Sequence, residues 1–355
     1  MSQFAWLGLL KWSLQYQDGT ENETPAEMSE ENKSFLKKVM EEGIVDEGVR
    51  MTVVLMALVK HLHQALTASG EAGPEVEELM STISSLEEGM RPADREALSA
   101  PPSTEHMLAL LEELRDIVEQ IDFAHSFAKM GGLPFLLGAC SEPRVPLEVR
   151  VQCAKLLATL AQNNPDVQRV AHVAGAASIL RQLFLQSADA PPAFRAALLQ
   201  ALSAAVRGHA PLEGEFLLSE AASPLLLPLL SPETPPPVLA RAAFFLRALL
   251  SSDTAPAPPH VALAPTAPAV AALLAGCADQ DVRCTAAGCL LALLAAGGGA
   301  ADLVFPHAKA IQGRAREAVE GMRGEEDEGE RERRKVEVDL LLELMRGIKA
   351  KLDGK

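Results

Sequence analysis

The stretch Glu148-Val-Arg-Val-Gln-Cys-Ala-Lys-Leu-Leu-Ala-Thr-Leu-Ala-Gln-Asn-Asn-Pro165 returns three times further along the chain. It aligns with Phe194-Arg-Ala-Ala-Leu-Leu-Gln-Ala-Leu-Ser-Ala-Ala-Val-Arg207, with Arg241-Ala-Ala-Phe-Phe-Leu-Arg-Ala-Leu-Leu250, and with Asp281-Val-Arg-Cys-Thr-Ala-Ala-Gly-Cys-Leu-Leu-Ala-Leu-Leu294. One leucine keeps its place as Leu157, Leu202, Leu246 and Leu290, at spacings of 45, 44 and 44 residues. Three positions before it stands a small or apolar residue: Ala154, Leu199, Ala243 and Ala287. The preceding segment recurs as well, since Gly131 in Gly131-Gly132-Leu-Pro-Phe-Leu-Leu and Gly175 in Ala174-Gly175-Ala-Ala-Ser-Ile-Leu are 44 residues apart.

A helical unit repeating near this length cannot bury its apolar face alone, so units stack and share one continuous core. The reading is an all-α chain, an armadillo/HEAT-like α-solenoid of about four repeats with flanking capping helices and a flexible N-terminal segment. Composition agrees: 48% of residues are apolar, only 4% are aromatic, and Ala and Leu dominate over β-branched residues.

Working outward, residues 104–300 are the repeat core, and a helix is predicted from Thr104 to about Met130, ending at Gly131-Gly132. The Pro-rich stretch Ala255 to Pro268 reads as a loop. Residues 301–355 are capping helices with a charged linker at Glu325 to Lys335, followed by an amphipathic helix over Val336 to Ile348. Residues 49–103 read as a helical linker or insertion, and residues 1–48 as a flexible segment with one amphipathic helix at about Ser29 to Glu42.

The net charge is −16 and is unevenly placed: residues 1–120 hold 23 acids against 9 bases, whereas residues 121–300 hold 12 against 11. Such a chain lacks the basic field that neutralises phosphates, so neither nucleic acid nor an anionic membrane is an expected partner. Five cysteines without a C-x-x-C pair suggest buried, reduced thiols and a cytoplasmic setting. The N-terminus has no basic region ahead of its apolar cluster and does not read as a secretory signal.

No set of residues reads as catalytic. His61 and His63 are two apart and face different sides of a helix, the spacing of Cys277, Cys284 and Cys289 fits no zinc site, and Gly297-Gly-Gly299 lacks a phosphate-binding lysine. An enzyme, a metal, a cofactor and a small-molecule substrate are therefore not expected, and the chain is expected to be monomeric. The candidate surface lies instead on the repeat helices, at the variable position two before each fixed leucine and about a turn to either side. These residues are Gln152, Lys155, Thr159 and Gln162 in the first copy, Gln200 and Arg207 in the second, and Arg241 and Phe244 in the third.

The block Trp6-Leu7-Gly8-Leu9-Leu10-Lys11-Trp12-Ser13, followed by Asp18-Gly19, Met28-Ser-Glu-Glu31 and Val45-Asp46, resembles the N-terminal signature of the Fes-type armadillo nucleotide exchange factors for heat shock protein 70. Leu110 to Asp122 and Met130-Gly-Gly-Leu-Pro-Phe-Leu-Leu137 resemble the same family's entry into its armadillo core. The resemblance implies a co-chaperone whose concave repeat surface binds the chaperone's nucleotide-binding domain and promotes ADP release. It also implies an N-terminal segment that assists client release. An armadillo scaffold for an unrelated protein partner is the alternative.

Overall fold

The computed structural model describes residues 47–67, 103–218, 222–252 and 259–353, and every regular element among them is a helix. The signature Trp6 to Ser13 and the helix expected at Ser29 to Glu42 lie outside the described residues. The architecture is an α-solenoid, divided into two compact units at residues 189 and 190.

The first unit contains α1 (Glu47–Thr67), α2 (Thr104–Val118), α3 (Ile121–Lys129), α4 (Gly132–Ser141), α5 (Leu147–Ala161), α6 (Pro165–Val173) and α7 (Ala176–Gln186). Helix α2 packs on α5, α3 on α6 and α4 on α7, so the architecture repeats every third helix. That period belongs to units of three helices rather than helix pairs. The second unit contains α8 (Pro192–Val206), α9 (Ala210–Leu218), α10 (Ala222–Leu226), α11 (Pro236–Leu250), α12 (Pro259–Leu263), α13 (Ala267–Gly276), α14 (Gln280–Ala296), α15 (Gly298–Asp302), α16 (Ala308–Arg323) and α17 (Glu328–Asp353). The same rule holds there: α8 packs on α11, α11 on α14, α14 on α17 and α13 on α16.

The fixed leucine sets this register. Leu157, Leu202, Leu246 and Leu290 are each the eleventh residue of their helix, α5, α8, α11 and α14, and all are buried. Leu114 holds the same place in α2 and is equally buried, which extends the register one helix upstream. Helix starts recur in step too: Pro146, Pro191 and Pro235 are the N-caps of α5, α8 and α11, where a missing N–H costs nothing. At α14 the place belongs to Asp279, whose carboxylate accepts the Val282 N–H at 3.1 Å.

Gly131 and Gly175 explain the other repeated segment. Both are left-handed, with φ of 83° and 70°, and both are N-caps, of α4 and α7. A side chain at such a φ is strained, so glycine lets the chain turn sharply from one helix into the next.

Three expectations change. The single helix over Thr104 to Met130 is two helices, broken at Gln120, whose backbone is extended. The apolar pattern runs through Ile121, but that side chain is 70% exposed and begins α3, with Asp122 in its first turn. Ala255 to Pro268 is not a loop from Pro259 onward, because α12 and a 3₁₀ turn over Ala264–Thr266 fill it. Helix α1, which the boundary at residue 103 leaves outside the repeat core, packs on α2 and α3, and its Met51, Val54, Leu58 and Leu62 are buried.

The charged run after Asp327 is helical, forming the first turns of α17. Among the described residues, Pro259–Gly276 is long and apolar enough to cross a membrane by length and composition. It is divided into α12, the 3₁₀ turn and α13, which pack on neighbouring helices of the second unit.

Candidate partner-binding face

In the first unit, the outward row of α5 carries Lys155, which is exposed, with Gln152 and Thr159 half-buried on either side. The Thr159 hydroxyl donates to the Lys155 carbonyl at 3.3 Å, so it is partly occupied by its own helix. Gln162 is exposed and forms the C-cap of α5, its N–H bonded to the Ala158 carbonyl. The matching row on α2 was missed by sequence reasoning. It carries Glu112, Asp116 and Glu119, all exposed, with Arg115 among them. Arg115 bridges Glu112 closely, Asp116 at 3.4 Å and Glu119 at 3.8 Å. The buried Leu114 was the signal, because it places α2 in the repeat register.

In the second unit, α8 and α11 carry Gln200, Arg207, Arg241 and Phe244. Gln200 is half-buried and Arg241 exposed. Arg207 is the C-cap of α8, the place Gln162 holds on α5, and its extended backbone leads the side chain out of the helix. Its guanidinium carbon lies 4.9 Å from the centroid of the Phe244 ring, a cation–π contact between adjacent helices. Phe244 is 43% exposed, so one part of the ring meets Arg207 and another meets solvent. Burial pushes the Arg207 guanidinium below its ordinary pKa, and the like charge of Arg241 pushes the same way.

Arg247 and Gly288 add a feature that position counting did not flag. The Arg247 guanidinium donates from Nη1 to the Gly288 carbonyl on α14 at 2.8 Å. Glu213, an acid just beyond Arg207 in the chain, is itself buried and accepts the Gly208 N–H at 2.6 Å as well as the Ser252 hydroxyl.

The structure thus brings Arg207, Arg241 and Phe244 together and sets Gln152, Lys155 and Thr159 along one helix. Trp6, Gly8, Leu9, Leu10, Lys11, Trp12 and Ser13 lie outside the described residues. Cys140, Cys153 and Cys289 are buried, Cys277 and Cys284 half-buried, and none is in a disulfide. Burial pushes the Cys284 thiol up to about 11 and the Cys289 thiol to about 12, so both stay protonated at neutral pH. His61 is buried against the His106 ring, with centroids 5.0 Å apart. Among the described residues no group of His, Cys, Asp and Glu could hold a metal ion.

No family model and no curated protein matches the chain. Among solved structures, an engineered protein from the Northeast Structural Genomics Consortium is similar over 74% of this chain and 100% of its own, at 17% identity and a TM-score of 0.57. A second engineered protein from that consortium is similar over 70% of this chain and 92% of its own, at 18% identity and a TM-score of 0.51. SYS-1 is similar over 79% of this chain and 51% of its own, at 12% identity and a TM-score of 0.49. Identities this low speak to the fold alone.

Proposed function

We propose that the protein is a nucleotide exchange factor for heat shock protein 70, a cytoplasmic co-chaperone that binds the nucleotide-binding domain and speeds ADP release. The observation that carries the proposal is the resemblance of Trp6 to Ser13 and Leu110 to Leu137 to the Fes-type exchange factors, together with the three-helix repeat that such a resemblance requires. The exposed row on α5 in the first unit, and those on α8 and α11 in the second, are each suited to protein contact and carry no reactive group. Exchange then needs no chemistry on this chain. It acts by binding the open, ADP-poor chaperone more tightly than the closed one, by about 3 kcal/mol for a hundredfold effect. By the same linkage ADP weakens its binding to an equal degree.

Stopped-flow release of a fluorescent ADP analogue from the chaperone is the test. Saturable acceleration supports the proposal, and an unchanged release rate at saturating protein sinks it. A scaffold for another partner would leave ADP release unchanged, and a pull-down would then recover that partner in place of the chaperone.

A further inference from the structure

We infer that Thr234 is a phosphorylation site for a proline-directed protein kinase, the acceptor hydroxyl of a Pro-rich turn that leads into α11. The inference does not use the exchange reading, and either fails without the other. Among the described residues lie three pairs in which proline follows serine or threonine: Ser223-Pro224, Ser231-Pro232 and Thr234-Pro235. A proline after the acceptor presets the extended backbone that a kinase cleft takes, and it brings no N–H for the cleft to satisfy. Sequence does not choose among the three; packing does.

A kinase lifts the chain on both sides of the acceptor into its cleft, and the lift costs whatever contacts that chain makes in the fold. Around Thr234 there is little to break. No residue from Ser231 to Pro237 is buried, and Pro232, Glu233, Pro236 and Pro237 are exposed. Pro232, Pro235, Pro236 and Pro237 have no N–H bond to lose. The Thr234 amide donates to the Ser231 carbonyl at 3.0 Å and the Glu233 amide to Ser231 Oγ at 3.4 Å, both within the turn. Pro235 is already extended, with φ of −51° and ψ of 132°. The segment is tied to α11 through the Pro235 carbonyl, which accepts from the Val238 and Leu239 amides at 2.9 and 3.0 Å.

The other two pairs are held by the core. Ser223 and Pro224 lie within α10, flanked by the buried Ala222 and Leu225. Ser231 follows directly on Leu229 and Leu230, both buried. The Ser231 hydroxyl also donates to the Glu233 carboxylate, so a phosphate there would be set against a like charge. Withdrawing one buried leucine lowers the population of the open form by about tenfold or more.

In the transfer, Thr234 Oγ1 attacks the γ-phosphorus of the ATP that the kinase holds. An oxygen–phosphorus bond forms, the bond from that phosphorus to the bridging oxygen breaks, ADP leaves, and the hydroxyl proton passes to the kinase's catalytic carboxylate. The product carries about −1.5 to −2 of charge just ahead of α11. Pro236 and Pro237, the first two residues of that helix, offer the phosphate no N–H, and the Val238 and Leu239 amides are taken by Pro235. The helix start therefore does not fold over the phosphate, which stays presented on the turn.

The test incubates the full chain with a cyclin-dependent kinase and magnesium ATP, and follows phosphate site by site by peptide mass mapping over the linear phase. Synthetic peptides spanning the three pairs give the rate of each without the fold. The folded chain is expected to keep most of the peptide rate at Thr234 and to lose about tenfold or more at Ser223 and Ser231. Thr234→Ser should keep the modification and Thr234→Ala remove it. Pro235→Ala should slow it by about tenfold or more, and the peptide with the same change gives that reading if a melting curve shows the variant chain disturbed. No phosphate on Thr234 of the folded chain overturns the inference. So does a ratio of chain rate to peptide rate at Ser223 or Ser231 that equals the ratio at Thr234, or an undiminished rate after Pro235→Ala.

Discussion

Arg247 occupies the space that a side chain on Gly288 would need. A β-carbon built on Gly288 would lie 2.6 Å from Arg247 Nε, and the same guanidinium donates to the Gly288 carbonyl at 2.8 Å. The glycine admits the arginine, and the arginine ties α11 to α14.

This pair predicts a change of sign in a double-mutant cycle. Arg247→Ala loses a charge-assisted bond and should destabilise by about 1.5 kcal/mol. Gly288→Ala gains roughly 1 kcal/mol in helix propensity but displaces the arginine, so alone it should destabilise by about 0.5 kcal/mol. In the Arg247→Ala background the obstruction is gone, and Gly288→Ala should stabilise by about 1 kcal/mol. Urea unfolding of the four proteins decides it, and additive effects would mean the two residues are not coupled.

A second glycine is constrained by a ring. A β-carbon on Gly132 would lie 2.2 Å from Phe127 Cε1, and Phe127 is fully buried. The ring has no space to retreat into, so Gly132→Ala should cost about 2 kcal/mol in overpacking. Adding Phe127→Leu should recover part of that loss in a thermal melt. No recovery would place the strain in the backbone and not the ring.

Glu337 on α17 governs how the last helix responds to acid. It accepts from Arg283 Nε at 2.7 Å and Nη2 at 2.8 Å, and from Arg314 Nε at 2.9 Å, joining α14, α16 and α17. Burial opposes its ionisation, but the two guanidiniums outweigh burial and hold the carboxyl below its ordinary range. A carboxylate with a lowered folded pKa stabilises fully above its unfolded value of about 4.3, and that stability is lost as pH falls through the folded pKa. Glu337→Gln leaves the buried Arg283 guanidinium without its counter-charge and leaves half-buried Arg314 with Glu317 alone, at 3.2 Å, and should cost about 3 kcal/mol at neutral pH. The variant should also lose less stability than wild type as pH falls below about 4.3, because it has no carboxylate to protonate there. Parallel loss in both proteins would show that other carboxylates control the acid transition.

What the sequence made legible follows from what repeats in it. Leu157, Leu202, Leu246 and Leu290 are spaced by the unit itself, so their burial could be read from register alone. The break at Gln120 could not, because Ile117, Val118 and Ile121 keep helical spacing while the backbone turns. Arg207 and Phe244 read from the sequence as two separate surface positions; the cation–π contact between them depends on how α8 and α11 pack, which one-dimensional spacing does not carry. Glu337, Arg283 and Arg314 are also far apart in the chain, and Glu337 follows a run of charged residues that reads as solvated. Only packing distinguishes the acid that is buried from those beside it.

Where the chain is cut at its N-terminal side should decide between loss of function and loss of folding. Helix α1 begins at Glu47 and buries Met51, Val54, Leu58 and Leu62. Arg50 pairs with Glu113 of α2, with Nη2 2.9 Å from Oε2, so the helix is also held by a two-pronged ion pair. Deleting residues 1–46 spares all of these contacts and should shift stability by no more than about 0.5 kcal/mol. Deleting residues 1–102 removes α1 and exposes the surfaces of α2 and α3 on which it packs. Each large side chain returned to water costs about 1.5–3 kcal/mol, so this truncation should lose on the order of 5 kcal/mol or more. Urea unfolding of the two proteins separates the cases, and equal stability would mean that α1 contributes nothing to the core. If the exchange function proposed above holds, the shorter deletion should still bind the isolated nucleotide-binding domain and accelerate ADP release, while release of a bound client peptide slows. Loss of binding in that stably folded protein would show that residues 1–46 carry the chaperone contact, and that the exposed rows on α5, α8 and α11 do not suffice.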